Sequence, residues 1–214
     1  MAKVWRTLAN GQIEIAGVGV PTVSGGDLEL LLKVVTRWRE LIERHALRTG
    51  VPRAWIGAFI RAESAGDPAA VSPAGAVGLL QIMPMWWRGH SKAEMTSSSG
   101  EPNATIGSDL LAAIRQSQKP GPTGVPELPK VASAYNCGSD NAQNEPRARP
   151  LNEWGMCEDK GYISRVVANA NTLIERFGPE WGGTSLGPKV VTGAPSVLLV
   201  VAMIWALGKW SRAF

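Results

Sequence analysis

The stretch Ala54-Trp55-Ile56-Gly57-Ala58-Phe59-Ile60-Arg61-Ala62-Glu63-Ser64 constrains the fold of this chain more than any other. Ile56, Ile60 and Glu63 fall at i, i+4 and i+7, so a helix here carries a carboxylate on its apolar stripe. Burying that stripe desolvates the carboxyl, and desolvation favours its protonated form. Enzymes keep a general acid protonated near neutral pH in this way. The same position also suits a helix-terminal glutamate that turns to water or caps a neighbouring loop, and position alone does not choose between the two.

The surrounding sequence predicts a mainly α fold. Asp27 reads as the N-cap of a helix running to about Arg48, with Gly50 just past its end and an apolar stripe from Leu30 to Ile42. Pro52 suits the first turn of the next helix, which ends near Ser64 before Gly66. Gly75 and Gly78 mark a loop followed by a short helix through Gln81. Further helices are expected over Asn103 to Gln116, Lys130 to Asn136 and Lys160 to Phe177, with Gly/Pro-rich loop over Pro120 to Pro129 and loop again from Cys137 to Asp159. Residues 1–26 read as a flexible arm or a hairpin, the latter because Asn10-Gly11 is a type I′ turn signal followed by alternating Ile13 and Ile15.

Four separated motifs follow one another along the chain: Glu63-Ser64, Gly78-Leu79-Leu80-Gln81, Ala134-Tyr135-Asn136 and Tyr162. In this order, with Asn103, Ile106 and Gly107 between them, they resemble the signature of the soluble-type lytic transglycosylases. That family has a goose-lysozyme-like helical domain and cleaves the glycan strands of peptidoglycan. The resemblance covers about Asp27 to Gly178. It implies that Glu63 protonates the glycosidic oxygen between N-acetylmuramic acid and N-acetylglucosamine. Glu63 then takes the proton of the muramoyl C6 hydroxyl, closing a 1,6-anhydro ring. It further implies that Ser64 steadies the reacting sugar and that Gln81, Tyr135 and Asn136 face the glycan. Tyr162 is expected to hydrogen-bond the catalytic acid. Tyr135 and Tyr162 are the only tyrosines of the chain.

The residues carry second readings as well. Ser64 also suits a helix cap. Gly75 and Gly78 let backbone approach a bulky sugar, or simply make a turn. Trp86 and Trp87 suit sugar stacking, although a core position fits them better. Two-carboxylate glycosidases need a second acid at a defined separation. No second acidic residue occupies a motif: Asp67 follows Glu63 by four residues, but Gly66 and Pro68 break the helix there. Leu80 replaces a frequent methionine, and Cys137 replaces a small alanine after the Tyr-Asn pair.

Composition narrows the partners. The formal net charge of +4 is spread along the chain, which suits an anionic wall or membrane surface. It lacks the compact basic cluster with interleaved aromatics that binds nucleic acid. His45 and His90 are the only histidines, without a zinc-binding spacing, so neither metal nor cofactor is expected. Cys137 and Cys157 are the only cysteines. They read as buried small hydrophobes, as a disulfide across the intervening loop, or as a reactive thiol, the last without a histidine placed to activate it.

The C-terminal segment is different in kind. Residues 190–208 hold no charged residue and lie between Lys189 and Lys209, with Trp205 and Trp210 near the far end. As a helix rising ~1.5 Å per residue the segment reaches across a hydrocarbon core of ~30 Å. It reads as a transmembrane helix, against the alternatives of a buried core helix or a partner-binding helix. The expected organisation is an arm or hairpin (1–26), a lytic transglycosylase domain (27–178), a linker (179–189), a lipid-contacting span (190–208) and a basic tail (209–214). Lys3 and Arg6 are not followed by the apolar run of a signal peptide, while peptidoglycan lies outside the cytoplasmic membrane. The resulting expectation is a phage virion protein held in an internal viral membrane, among other virion proteins, that opens the wall locally when the phage enters its host. A secretion- or conjugation-associated bacterial enzyme is the alternative setting. A lysozyme-type hydrolase and a non-catalytic wall-binding structural protein are the alternative functions.

Overall fold

Seven consecutive residues of one helix, Ala54 to Ile60, are buried, so this helix is apolar all round and forms the centre of the domain. The structure is a computed structural model and describes residues 5–117, 127–137 and 161–183. Its helices are α1 (Gly25–Thr49), α2 (Arg53–Ser64), α3 (Lys92–Met95), α4 (Glu101–Ser117), α5 (Glu127–Cys137) and α6 (Tyr162–Phe177), with one-turn 3₁₀ segments at Pro84–Trp86 and Pro179–Trp181. The central helix α2 packs chiefly on α6 and on α1; α4 bridges α1 and α5, and α5 returns to α6. Gly57 makes the closest of these approaches possible. A Cβ there would sit 3.0 Å from Leu173 Cδ1 on α6 and 3.2 Å from Val35 Cγ2 on α1.

The N-terminal residues form an antiparallel hairpin of β1 (Trp5–Thr7) and β2 (Ile13–Ile15), with Trp5 opposite Ile15 and Thr7 opposite Ile13. Its turn is not the expected type I′. Gly11 N donates to Leu8 O and Leu8 N to Gln12 O, and of the turn residues only Gly11 takes a positive φ, at 89°. This is a three-residue connection in which glycine supplies the left-handed bulge position. The hairpin docks on α6 through Asn171, which is fully buried. The Asn171 side chain accepts from Ile13 N at 2.7 Å and donates to Ile13 O at 2.8 Å, acting as a substitute strand partner.

Several boundaries differ from expectation. Helix α1 begins after Ser24, not at Asp27, whose carboxylate instead accepts from Arg61 Nη2 at 3.0 Å. Helix α5 begins at Glu127, within the stretch expected to be loop. Pro129 falls in its first turn, where the missing N–H has no intrahelical partner to lose. Helix α6 begins at Tyr162, two residues later than expected, because Gly161 takes a left-handed conformation with φ 84°. No short helix leads to Gln81. Residues Gly78 to Gln81 form a tight loop closed by paired bonds between Val77 and Ile82, with φ of 77° at Gly78 and 48° at Gln81. Positive φ at both positions is incompatible with a right-handed helix.

Cys137, the last residue of α5, is disulfide-bonded, which removes the reactive-thiol reading for it. Cys157 lies outside the described residues, as do the expected loop over 138–159 and the proposed span at 190–208. Among the described residues no helix is long and apolar enough to cross a membrane, and no group of His, Cys, Asp and Glu could hold a metal ion.

Candidate active site

Glu63 stands in the last turn of α2, where the central helix leaves the core, and its side chain is half-buried. One face of the site comes from α6. Gly161 turns the chain so that Tyr162 opens that helix, and the buried Tyr162 hydroxyl donates to Glu63 Oε1. A second face comes from α5, whose Tyr135 hydroxyl donates to Leu80 O at 2.7 Å. Phe59, one turn before Glu63, stands edge-on to both tyrosine rings, at centroid distances of 4.9 Å to Tyr135 and 6.4 Å to Tyr162. This aromatic wedge fixes both hydroxyls, since T-shaped contacts and burial leave the rings little freedom.

The third face is the Gly78–Gln81 loop, and a buried asparagine holds it. Asn103 on α4 donates from Nδ2 to Val77 O at 2.7 Å and accepts from Leu80 N at 2.8 Å. A Cβ on Gly78 would lie 2.3 Å from Asn103 Nδ2 and 2.7 Å from Met95 O. Glycine at 78 is therefore required by the packing of α4 and the end of α3 against the loop. Leu80 is fully buried against Gly107, where a Cβ would come within 2.4 Å of Leu80 Cδ1. The Ser64 hydroxyl donates to Leu79 O at 2.9 Å and accepts from Gly66 N at 3.1 Å, tying the end of α2 to the same loop. Gln81 is half-buried and donates from Nε2 to Gly78 O at 3.0 Å.

The electrostatics follow from this enclosure. Burial pushes the Glu63 carboxyl up to about 7 from an ordinary 4.5, against the Tyr162 hydrogen bond and the Arg165 charge, which both favour the carboxylate. Burial and the neighbouring Glu63 charge hold both tyrosines well above their ordinary value, so each remains a hydroxyl donor at any working pH. The arrangement can therefore bind and release one proton near neutrality at a single oriented carboxyl.

Of the residues singled out from sequence, Glu63, Tyr162, Tyr135 and the Gly78–Gln81 loop come together in one connected set. Ser64 and Gly78 belong to its scaffold, with their bonding and packing directed to protein groups. Asn136 adjoins Tyr135 on α5 and donates to Cys137 Sγ at 3.6 Å. Trp86 and Trp87 are partly buried against the core, and Trp87 Nε1 donates to Ile82 O at 3.0 Å. Asp67 is exposed and accepts from Ala69 N. Two neighbours escaped the sequence reading: Phe59 at i−4 from Glu63, and Arg165 at i+3 from Tyr162. Helical spacing from each motif residue is the signal that finds them.

An almost wholly helical domain around one buried helix, with a desolvated carboxyl where that helix emerges, defines a lysozyme-like fold. Residues 40–152 match the family described as the transglycosylase SLT domain, more than half of the chain, and the chain belongs to that family. Over 96 residues it is 32% identical to the endo-type membrane-bound lytic murein transglycosylase A of two Klebsiella pneumoniae strains. That match takes in 40% of this chain and 47% of the relative, so the chain spans about half the length of the relatives it matches. The crystal structure of the 70 kDa soluble lytic transglycosylase of Escherichia coli resembles the fold with a TM-score of 0.51 at 21% identity, over 71% of this chain and 26% of that one.

Proposed function

We propose that this protein is a peptidoglycan lytic transglycosylase that cleaves the β-1,4 bond between N-acetylmuramic acid and N-acetylglucosamine, with Glu63 as acid and then base. The observation that carries this reading is a lone carboxyl pushed up to about 7 and oriented by Tyr162, with no second carboxylate among the described groups acting on it. A carboxyl of that proton affinity is partly protonated at neutral pH and donates to the glycosidic oxygen. As the bond breaks, positive charge develops at the muramoyl anomeric carbon and Glu63 is left as carboxylate. It then accepts the C6 hydroxyl proton while that oxygen bonds to the anomeric carbon. One proton is given and one is regained, and no water is consumed. Hydrolysis by the two-carboxylate route would instead use a second carboxylate, as nucleophile or as the base for a water.

Around this step, Tyr162 holds the carboxyl in one orientation, while Gln81, Tyr135 and Asn136 are the proposed glycan-binding groups. Ser64 and Gly78 serve the substrate by shaping the loop from which Gln81 projects. Membership of the transglycosylase SLT family supports the reading, and the Klebsiella relatives bear the name of lytic murein transglycosylases. Product analysis of purified peptidoglycan digests tests it, with Glu63→Gln as control. Anhydro-muropeptides that disappear in a folded Glu63→Gln variant are expected, at a rate loss of ~10²–10⁴. Reducing muropeptides would make the protein a hydrolase, and binding without cleavage would make it a wall-binding structural protein.

The setting we propose is a membrane tether through residues 190–208, with local wall opening as a phage enters its host and the tether in an internal virion membrane. The uncharged segment between Lys189 and Lys209 supports the tether. Detection of the protein in purified particles tests the virion setting, and its confinement to a bacterial envelope would overturn it.

A further inference from the structure

We propose that Gln81 meets the glycan only as a hydrogen-bond acceptor and so selects a donor of the sugar, an acetamido N–H or a hydroxyl; this rests on the reading of the site as a glycan cleft. Gln81 Nε2 donates to Gly78 O at 3.0 Å and to Ala70 O at 3.3 Å. Carbonyl oxygens only accept, so these two partners fix which end of the amide is nitrogen and occupy both of its hydrogens. The same carbonyls are tied into the loop backbone. Gly78 O accepts from Gln81 N at 3.2 Å, and Ala70 O accepts from Gly78 N at 2.8 Å. Gln81 is half-buried, and its Oε1 accepts no hydrogen bond among the described residues. That oxygen is what the side chain has left to offer.

The loop explains why the amide is held this way. The chain reverses between the paired residues Val77 and Ile82, with φ 48° at Gln81, and its carbonyls need donors. Each of the four successive carbonyls from Val77 to Leu80 accepts from a side chain: Asn103 holds the first, Gln81 the second, Ser64 the third at 2.9 Å and Tyr135 the fourth at 2.7 Å. A free glutamine amide would offer a donor and an acceptor alike. Here Gln81 cannot donate to a sugar without releasing a loop carbonyl, and Tyr135 has spent its only hydrogen in the same way. This wall of the cleft therefore presents acceptors. It favours sugar hydroxyls and acetamido N–H groups over the lactyl and acyl oxygens of the glycan, which have no hydrogen to give.

The test titrates the folded, full-chain Glu63→Gln variant by calorimetry with an N-acetylglucosamine–N-acetylmuramic acid tetrasaccharide and its analogues. One set of analogues lacks single donors, through an N-methylated acetamide or fluorine in place of one hydroxyl. A second set weakens an acceptor instead, through a thioacetamide. One donor-lacking analogue should bind roughly 3–10-fold more weakly, the range of one neutral hydrogen bond, and its identity tells N–H from hydroxyl. In Gln81→Met on the same background that penalty should shrink to within about twofold, with no coupling between the thioacetamide and position 81. A second measurement needs no variant at 81. By ¹⁵N NMR of the parent, both Gln81 Nε2 hydrogens should exchange at least ~10-fold more slowly than a free amide and stay protected when the tetrasaccharide binds. Freely exchanging Nε2 hydrogens, a donor penalty undiminished in Gln81→Met, or equal binding of every donor-lacking analogue would overturn the proposal and leave the glycan reading standing. If the tetrasaccharide itself does not bind, the glycan reading falls and takes the proposal with it.

Discussion

Glu63 gives up water on folding, and the penalty for ionising it there builds up between its ordinary 4.5 and about 7. Within that window the folded state binds more protons than the unfolded state, so this group's contribution to stability falls as pH rises. Below 4.5 the carboxyl is neutral in both states and there is no penalty; above 7 the penalty is complete. Glu63→Gln removes it while keeping the shape of the side chain. The variant should therefore match the parent in stability at pH 4 and exceed it at pH 8, by up to ~3 kcal/mol, as read from denaturant unfolding at both pH values. Tyr162→Phe acts in another direction. Its hydroxyl favours the carboxylate, so removing it should raise the Glu63 value further and move the alkaline limb of the pH–rate profile upward, with a smaller loss of rate than Glu63→Gln. A profile unchanged from the parent would reduce Tyr162 to a packing role. At this scale much was legible in the sequence: helical spacing put Glu63 on the buried stripe, and the motif order brought Tyr162 to it. Phe59 and Arg165 were not, because an aromatic in an apolar run and an arginine on a helix look ordinary until the folded chain shows which side chains they face.

The loop between Val77 and Ile82 depends on one side chain from another element. Asn103 satisfies one buried N–H and one buried C=O of that loop, and neither Leu80 N nor Val77 O can turn to water once α4 is packed over it. Asn103→Ala orphans both groups. At ~1–3 kcal/mol for each unsatisfied buried group, the variant should lose roughly 2–6 kcal/mol in denaturant unfolding and most of its activity. A loss below about 1 kcal/mol would mean that the loop holds its shape without the clamp. This dependence also explains why the sequence alone suggests a short helix through Gln81 where the chain forms a loop. Gly78 announces a turn, but nothing local shows that Gln81 takes φ 48°, because that conformation is imposed by the pairing of Val77 with Ile82 and by the bonds Gln81 makes to Gly78. Helix α5 shows the converse. Pro129 reads as a breaker in isolation, yet three residues into a helix it removes an N–H that has no partner there. The long helices α1, α2 and α6 were legible because their apolar repeats run over several turns, and only their caps moved.

At the scale of the whole molecule, the packed domain closes on itself at its two described ends. Trp181 is buried, and Gly182 sits so close to the hairpin turn that a Cβ on it would lie 2.9 Å from Asn10 O and 2.8 Å from Ile174 Cδ1. Among the described residues, the contacts that join the hairpin, α6 and the final 3₁₀ turn lie before residue 184, as do the site residues drawn from α2, α4, α5, α6 and the 77–82 loop. Truncation after Gly187 should accordingly leave a folded, detergent-free protein with the parental melting temperature and parental cleavage of purified peptidoglycan. The full chain carries in addition the uncharged segment 190–208, whose exposure to water would leave a long apolar surface. It should partition into liposomes or detergent micelles, whereas the truncated form stays in the aqueous phase. Flotation with vesicles, run on both forms side by side, separates the readings of that segment. If the full chain remains monomeric in plain buffer, or truncation lowers the melting temperature by several degrees, residues 190–208 pack against the domain and the membrane tether is wrong. If only the full chain floats while both forms cleave alike, catalysis and tethering are separate parts of one chain.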